Sequence, residues 1–189
     1  MAFLTRAAVA RTVAIVAFGL VMRAPARGHQ PDDGEGAIKA AFLYNFTKFV
    51  DWPTAAFDTA SGAFRVCALA DEAFVRQLDA TLRGETVRGR PIELERTDTV
   101  GTGRKCHLVF FAGSRTEPSS RLLPSLRRTS VLTVGEGPRF LAQGGAIAFI
   151  RENNRVRFDV NMLAIEEAGL SVSSKLLRVA RHVARGTTR

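Results

Sequence analysis

Hydrophobic side chains recur at helical spacing in the segment AIKAAFLYNFTKFV, which runs from Ala37 to Val50. The apolar residues of this segment fall on one face of a 3.6-residue repeat, and polar residues such as Lys39 and Lys48 fall on other faces. The pattern predicts an amphipathic helix. This helix should end before Pro53, because the residue that precedes a proline is disfavoured in the helical conformation.

The middle of the chain alternates short apolar runs with amphipathic segments. Continuous apolar runs of this kind are typical of parallel strands that are covered on both faces. Asp71 precedes one amphipathic segment and is expected to cap its helix. The pattern predicts strands over 64–69, 91–96, 106–112 and 131–134 and helices over 72–82 and 118–126.

The pattern changes after Gly145. Two apolar segments, 146–151 and 155–160, flank Glu152-Asn153-Asn154, and asparagine tolerates the positive φ of tight hairpin turns. An antiparallel hairpin is therefore predicted, followed by a helix from Asn161 and a last helix that begins at Ser173 or Ser174. The whole pattern predicts an α/β domain with a mixed, mostly parallel sheet, helices on both faces and a C-terminal antiparallel hairpin.

Residues 1–26 have the three parts of a secretory signal peptide. They contain a positively charged start, an apolar core from Val13 to Met22 and the A-x-A sequence Ala24-Pro25-Ala26. The alternative is an uncleaved anchor, which needs about 20 apolar residues, and this core is shorter. We therefore expect export to the periplasm, a flexible N-terminus over 27–36 and a folded domain over 37–185.

The chain is basic, with 27 lysines and arginines against 18 acidic residues and a net charge of +9. Residues 1–26 contain three arginines and no acidic residue, so that removal of the signal lowers the net charge to +6. The basic residues of the predicted last helix recur at steps of three and four, which indicates either a solvated face or a contact with an anionic partner. Nucleic acid is not expected as that partner in an exported protein. These residues are Lys175, Arg178, Arg181 and Arg185.

Cys67 and Cys106 are the two cysteines of the chain, and both lie in predicted strands. In an oxidising compartment such a pair favours a disulfide. The alternative is two buried free thiols that pack as small hydrophobic groups. Their spacing fits no paired C-x-x-C arrangement, so no metal site is predicted.

The sequence contains no recognisable catalytic or nucleotide-binding motif, and neither enzyme activity nor a cofactor is predicted. No glycine-rich phosphate loop occurs, and Ser114 lacks the G-x-S-x-G context of a nucleophile. His107 is interpreted as a structural strand residue rather than a catalytic base. A small ligand, if one binds, is expected at the carboxyl ends of the parallel strands, near Asp71, Ser114 and Glu136.

Trp52 is the only tryptophan of the chain and follows the first predicted helix. Two interpretations stay open: a side chain that packs in the core at the end of the helix, or a contact residue for a protein partner. In the second interpretation, the contact surface consists of Trp52, Pro53 and Phe57, together with the basic residues Lys175 and Arg178.

Eight stretches together resemble the YfiR family of bacterial periplasmic proteins. They occur in the family's order and cover almost all of the chain after the signal. They are KAAFLYNFTKFVDWP, VCALAD, GETVRGRPI, CHLVFF, VLTVGEG, GGAIAF, RVRFDVN and AGLSVSSKLLRVA.

The resemblance implies a single Rossmann-like regulatory domain without catalytic activity. It implies repression of an inner-membrane diguanylate cyclase through protein contacts, capture by an OmpA-like outer-membrane lipoprotein, and control of cyclic di-GMP and biofilm formation. It also implies a possible homodimer and a disulfide between Cys67 and Cys106. A member of the family carries a second cysteine pair, which this chain lacks. The alternative function is a periplasmic small-molecule receptor that serves another membrane sensor.

Overall fold

The computed structural model describes residues 33–57, 62–96, 105–113 and 116–185. The helices are α1 (Asp33–Phe49), α2 (Glu72–Leu82), α3 (Thr116–Leu126), α4 (Pro138–Ala142), α5 (Met162–Glu167) and α6 (Ser174–Val179), with a 3₁₀ turn at Thr54–Ala56. The strands are β1 (Val50–Asp51), β2 (Phe64–Leu69), β3 (Thr86–Val87), β4 (Arg90–Arg96), β5 (Leu108–Phe111), β6 (Leu132–Glu136), β7 (Ile147–Glu152), β8 (Arg155–Asn161), β9 (Ser171–Val172) and β10 (His182–Ala184).

Eight strands form the main sheet, in the order β10-β8-β7-β6-β5-β2-β4-β3. Strands β4, β2, β5, β6 and β7 run parallel to one another, and β8 is antiparallel to β7. Read along the sequence, the five parallel strands have the order 2-1-3-4-5, which is that of a doubly wound fold. The predicted fold class is therefore confirmed, including the hairpin, whose turn residues Asn153 and Asn154 have φ of 48° and 59°.

Helices cover both faces of this sheet. On one face, α1, α2, α5 and α6 bury a large core that includes Phe46, Leu78 and Ile165. On the other face, α3 and α4 cover a smaller core that includes Leu122 and Phe140. A separate two-stranded ribbon pairs β1 with β9, and thereby ties the end of α1 to the segment before α6.

The predicted flexible N-terminus is wrong for residues 33–36, because α1 already begins at Asp33. Two contacts that the local pattern does not reveal explain the longer helix. Glu35 forms ion pairs with Lys39 and with the distant Arg151. Gly36 lies against Gln77 of α2 so closely that a Cβ atom would collide with its side chain.

The predicted last helix is also shorter than its basic pattern indicates. Helix α6 ends at Val179, and the chain then forms β10, which is parallel to β8. The amide of Arg181 donates to the carbonyl of Phe158 at 2.8 Å. The chain leaves the helix because the outer edge of β8 offers backbone hydrogen bonds to a strand. Arg181 and Arg185 therefore do not continue a helical stripe with Lys175 and Arg178.

Candidate functional site

The carboxyl ends of β5 and β6 meet at Glu136, the last residue of β6. Its Oε2 atom accepts a hydrogen bond from the amide of Gly113 at 2.8 Å, and its Oε1 atom accepts from Nζ of Lys39 at 2.7 Å. Gly113 follows β5, and a Cβ atom at this position would collide with the Glu136 carboxylate. Glycine at this position therefore leaves room for the carboxylate to accept the backbone hydrogen bond.

Lys39 of α1 connects two carboxylates from different parts of the fold. Its Nζ atom lies 2.7 Å from Oε1 of Glu35 and 2.7 Å from Oε1 of Glu136, and its side chain is only 15% exposed. Burial by itself would lower the pKa of Lys39, but the hydrogen bonds to Glu136 and Glu35 outweigh it and raise the pKa. Hydrogen bonding to Lys39 lowers the pKa of Glu35, although burial partly opposes this. Both charges of the Glu35–Lys39 pair are therefore stabilised.

An open cleft of about 200 Å³ lies beside these charges, between the first turns of α1 and the β7–β8 hairpin. Its apolar part consists of Phe149, Ile150 and Val156. A neighbouring cavity of about 150 Å³ shares Glu35, Arg151 and Val156 with the cleft and extends it towards Ile38 and Arg155. The arrangement offers an apolar floor and charged walls, which suits binding of a small polar molecule with an apolar part.

The structure describes two of the three residues predicted to form a ligand pocket, and these two have different roles. Glu136 lines the cleft. Asp71 caps α2, where its side chain accepts a hydrogen bond from the amide of Phe74 at 2.8 Å. Ser114 lies outside the described residues. Sequence reasoning missed Lys39 and Arg151; the i,i+4 spacing of Glu35 and Lys39 was one available signal, whereas only the hairpin brings Arg151 to the cleft.

Trp52 is a core residue, with 6% of its surface exposed. Its Nε1 atom donates a hydrogen bond to the carbonyl of His107 at 3.0 Å, and its ring meets Phe64 edge to face at 4.8 Å. The core interpretation is thus confirmed, and the side chain has little surface left for a partner. Pro53 and Phe57 are half-buried, and the exposed residues of this segment are Thr54 and Ala55.

Fewer basic side chains are exposed together on the last helix than its sequence pattern predicts. Lys175 and Arg178 are exposed on α6. Arg181 instead forms ion pairs with Asp159 and Glu152, at 2.5 and 3.3 Å. Its hydrogen bonds to these two carboxylates raise its pKa further, so that it remains charged.

Cys67 and Cys106 form a disulfide, with Cα atoms 6.0 Å apart. The bond joins β2 to the residues just before β5, within the smaller core beneath α3. The alternative of two free thiols is therefore wrong. The bond fixes the start of β5, at the opposite end of that strand from Gly113.

The fold and these sites define a doubly wound α/β domain with a charged cleft at the carboxyl edge of its sheet. Residues 36–181 match the family described as YfiR/HmsC-like, and the chain belongs to that family. No helix within the described ranges has both the length and the apolar character needed to cross a membrane.

Two solved structures resemble this fold at very low sequence identity. A conserved domain protein from Vibrio cholerae O1 biovar El Tor has a TM-score of 0.53 and 9% identity, over 78% of this chain and 60% of that one. The ABC domain in complex with L-Trp from Streptococcus pneumoniae has a TM-score of 0.50 and 8% identity, over 79% of this chain and 60% of that one. The chain thus spans less than two thirds of each, and the likeness concerns the fold alone. No curated protein matches the sequence.

Proposed function

We propose that this protein is a non-catalytic periplasmic regulator that binds the periplasmic part of an inner-membrane diguanylate cyclase and inhibits it. The observation that carries the proposal is the family match over residues 36–181, which includes nearly all of the described fold. The ion pairs of Lys39 with Glu35 and Glu136 tie α1 to the sheet, which favours a structural role for these side chains over a catalytic one. In this proposal an OmpA-like outer-membrane lipoprotein relieves the inhibition by capturing the regulator, which can form a homodimer.

The proposed contact surface consists of the turn Thr54–Ala56 and the exposed side chains of Lys175 and Arg178. The turn follows β1 and the helix follows β9, and these two strands pair with each other. Because this pairing is antiparallel, the turn and α6 leave the short ribbon at its two ends, and the proposed surface has one part on each side of the ribbon. A partner with acidic residues would complement the exposed lysine and arginine.

A pull-down from solubilised membranes, with captured proteins identified by mass spectrometry, tests this proposal. We expect a membrane protein with a diguanylate cyclase domain to be captured. Ala55→Arg and Lys175→Glu should each reduce its recovery by about tenfold or more, which corresponds to a contact worth about 1.4 kcal/mol. Trp52→Ala is unsuitable as a probe because that side chain packs in the core.

The matched control for the charge reversal is Arg139→Glu, an exposed position on α4 at the other face of the sheet. This variant should capture the cyclase as well as the natural protein does. If no membrane protein is recovered above background with any version, the proposed regulation of a cyclase is wrong.

The cleft beside Glu136 supports a second candidate function, that of a small-molecule receptor for another membrane sensor. Its apolar floor and the mixed charges of Glu35, Lys39, Glu136 and Arg151 would suit a compound that carries an amino group, a carboxylate and an apolar group. A thermal-shift screen of amino acids and small carboxylic acids tests this candidate, with L-Trp included because the structurally similar ABC domain holds it. A true ligand should raise the melting temperature in a concentration-dependent way, and Arg151→Ala should remove the effect. A screen without any such shift would count against a receptor role.

A further inference from the structure

His107 lies immediately before β5 and is only 3% exposed. Its imidazole ring contacts two phenylalanine rings, which also contact each other at a centroid distance of 6.5 Å. The centroid distances are 4.6 Å to Phe57 and 4.8 Å to Phe64, and both interplanar angles are 24°. Phe64 belongs to β2, whereas Phe57 ends the 3₁₀ turn that follows Trp52.

The hydrogen bonds of the ring fix its protonation state. Nδ1 lies 2.9 Å from the backbone nitrogen of Arg65, and Nε2 lies 3.1 Å from the carbonyl oxygen of Ala56. A backbone amide can only donate, so Nδ1 must be the unprotonated acceptor. Nε2 then carries the hydrogen and donates it to Ala56. The ring is therefore neutral in this structure.

The same residue attaches the segment from Trp52 to Phe57 to the sheet. The carbonyl of His107 accepts the indole hydrogen bond of Trp52 at 3.0 Å. Its ring donates to Ala56 and stacks on Phe57. Three contacts of one residue thus hold both ends of the segment.

We propose that His107 is a proton-controlled clamp, and that protonation of its ring releases the Trp52–Phe57 segment from the sheet. A proton from solvent on Nδ1 would place an N–H group against the N–H group of Arg65, and the existing hydrogen bond would be lost. The ring would have to turn or withdraw to regain an acceptor or water. Either movement breaks the hydrogen bond to Ala56 and the stacking on Phe57.

The described charged groups around the ring include several cations. The guanidinium of Arg90 lies 4.0 Å from the centroid of Phe57, on a ring that also stacks on His107. Arg65 donates from Nε to the carbonyl of Lys105 at 2.7 Å, and both residues are neighbours of the clamp. Glu93 lies opposite Arg65 on β4, and Asp51, before Trp52, pairs with Arg88. The positive charge of Arg90, which lies over the Phe57 ring, would repel an imidazolium in contact with that ring.

The effect on regulation rests on the proposed function, because the segment belongs to the proposed contact surface. Release would change the position of Thr54 and Ala55 and should weaken capture of the cyclase in acid. Capture of the cyclase at two pH values measures this effect separately from the movement of the segment.

Trp52 fluorescence tests the clamp directly, since it is the only tryptophan in the chain. As the pH is lowered from about 8 towards the onset of global unfolding, the emission of the purified protein should shift to longer wavelength while its far-ultraviolet circular dichroism is retained. His107→Asn should abolish this shift, because its amide oxygen can accept from Arg65 and does not titrate. The matched control, His182→Asn on β10, should retain it.

Hydrogen exchange of the natural protein gives a test that does not depend on a variant. After correction for intrinsic pH effects, the Arg65 amide and the amides of 54–57 should exchange about tenfold faster in acid, whereas β6 should not change. Absence of the emission shift before global unfolding, or an unchanged shift in His107→Asn, would overturn the clamp. If the clamp moves but cyclase capture is the same at both pH values, the link to the proposed contact surface is wrong.

Discussion

At the scale of single residues, the candidate site depends on Lys39. It lies on a helix that the sequence predicts, yet its partners are four and 97 residues away along the chain. Only the first of these partners follows from helical spacing. The second depends on how α1 packs across the carboxyl edge of the sheet.

Lys39→Met should destabilise the protein by about 1–3 kcal/mol, because it leaves the carboxylates of Glu35 and Glu136 without their shared cation. The measurement is urea-induced unfolding at neutral pH. Lys175→Met, at an exposed position, is the control and should change stability by less than about 0.5 kcal/mol. Equal effects of the two substitutions would contradict a structural role of the Lys39 pairs.

The lowered pKa of Glu35 gives this pairing a defined pH dependence. Its contribution to stability is complete above its ordinary pKa of 4.5 and is lost as the pH falls through the lower value of the folded state. The raised pKa of Lys39 acts in the opposite range, where its contribution is lost as the pH rises above 10.5 through the folded value. Lys39→Met should therefore flatten the acid side of the stability profile below about pH 4.5, as measured by urea unfolding at a series of pH values.

At the scale of elements, α4 packs closely on the sheet because two glycines make room for Phe140. A Cβ atom at Gly135 of β6 or at Gly145 before β7 would collide with the Phe140 ring. The ring also contacts Phe111 of β5 at a centroid distance of 5.5 Å. A short helix thereby fixes three neighbouring strands whose carboxyl ends border the cleft.

Gly145→Ala should destabilise the protein by about 1–3 kcal/mol, since the new methyl group overlaps the Phe140 ring. Gly34→Ala is the matched control, because a Cβ atom at Gly34 meets open space on a helix. Alanine there should be neutral or slightly stabilising. Thermal unfolding of both variants checks the difference, and a loss of stability in Gly34→Ala alone would contradict the packing described.

The disulfide acts at the same scale, because it joins β2 to the start of β5. Replacement of Cys67 and Cys106 together by alanine should lower stability by about 2–5 kcal/mol. Comparison of the urea midpoints of the natural protein and the double variant measures this cost. The natural protein under reducing conditions should approach the midpoint of the variant, and an unchanged midpoint in both would show that packing alone holds this junction.

At the scale of the whole molecule, family membership and the predicted signal peptide both favour the periplasm as the place where the protein acts. The match begins at residue 36, after the predicted signal. The disulfide is consistent with an oxidising compartment. Localisation and processing themselves stay predictions.

The predicted cleavage after Ala26 can be measured on the exported protein. N-terminal sequencing of material from the periplasmic fraction should begin at Arg27, because signal peptidase recognises the small residues at 24 and 26. Ala26→Phe should block cleavage and retain the longer chain in the membrane fraction. Recovery of the natural protein with an intact first segment would favour the uncleaved anchor.

The sequence by itself determined the order and type of the main elements, from the helix over Phe42 and Phe46 to the asparagine hairpin. These features are local: hydrophobic periodicity, a cap at Asp71 and turn residues that accept positive φ. The tertiary structure alone decided what depends on distant partners. It placed Trp52 in the core against His107, brought Arg151 to Glu35, and ended α6 where the edge of β8 could pair with a strand. These features depend on hydrogen bonds and ion pairs between segments that are far apart in the chain. A local sequence pattern carries no information about the energies of such contacts.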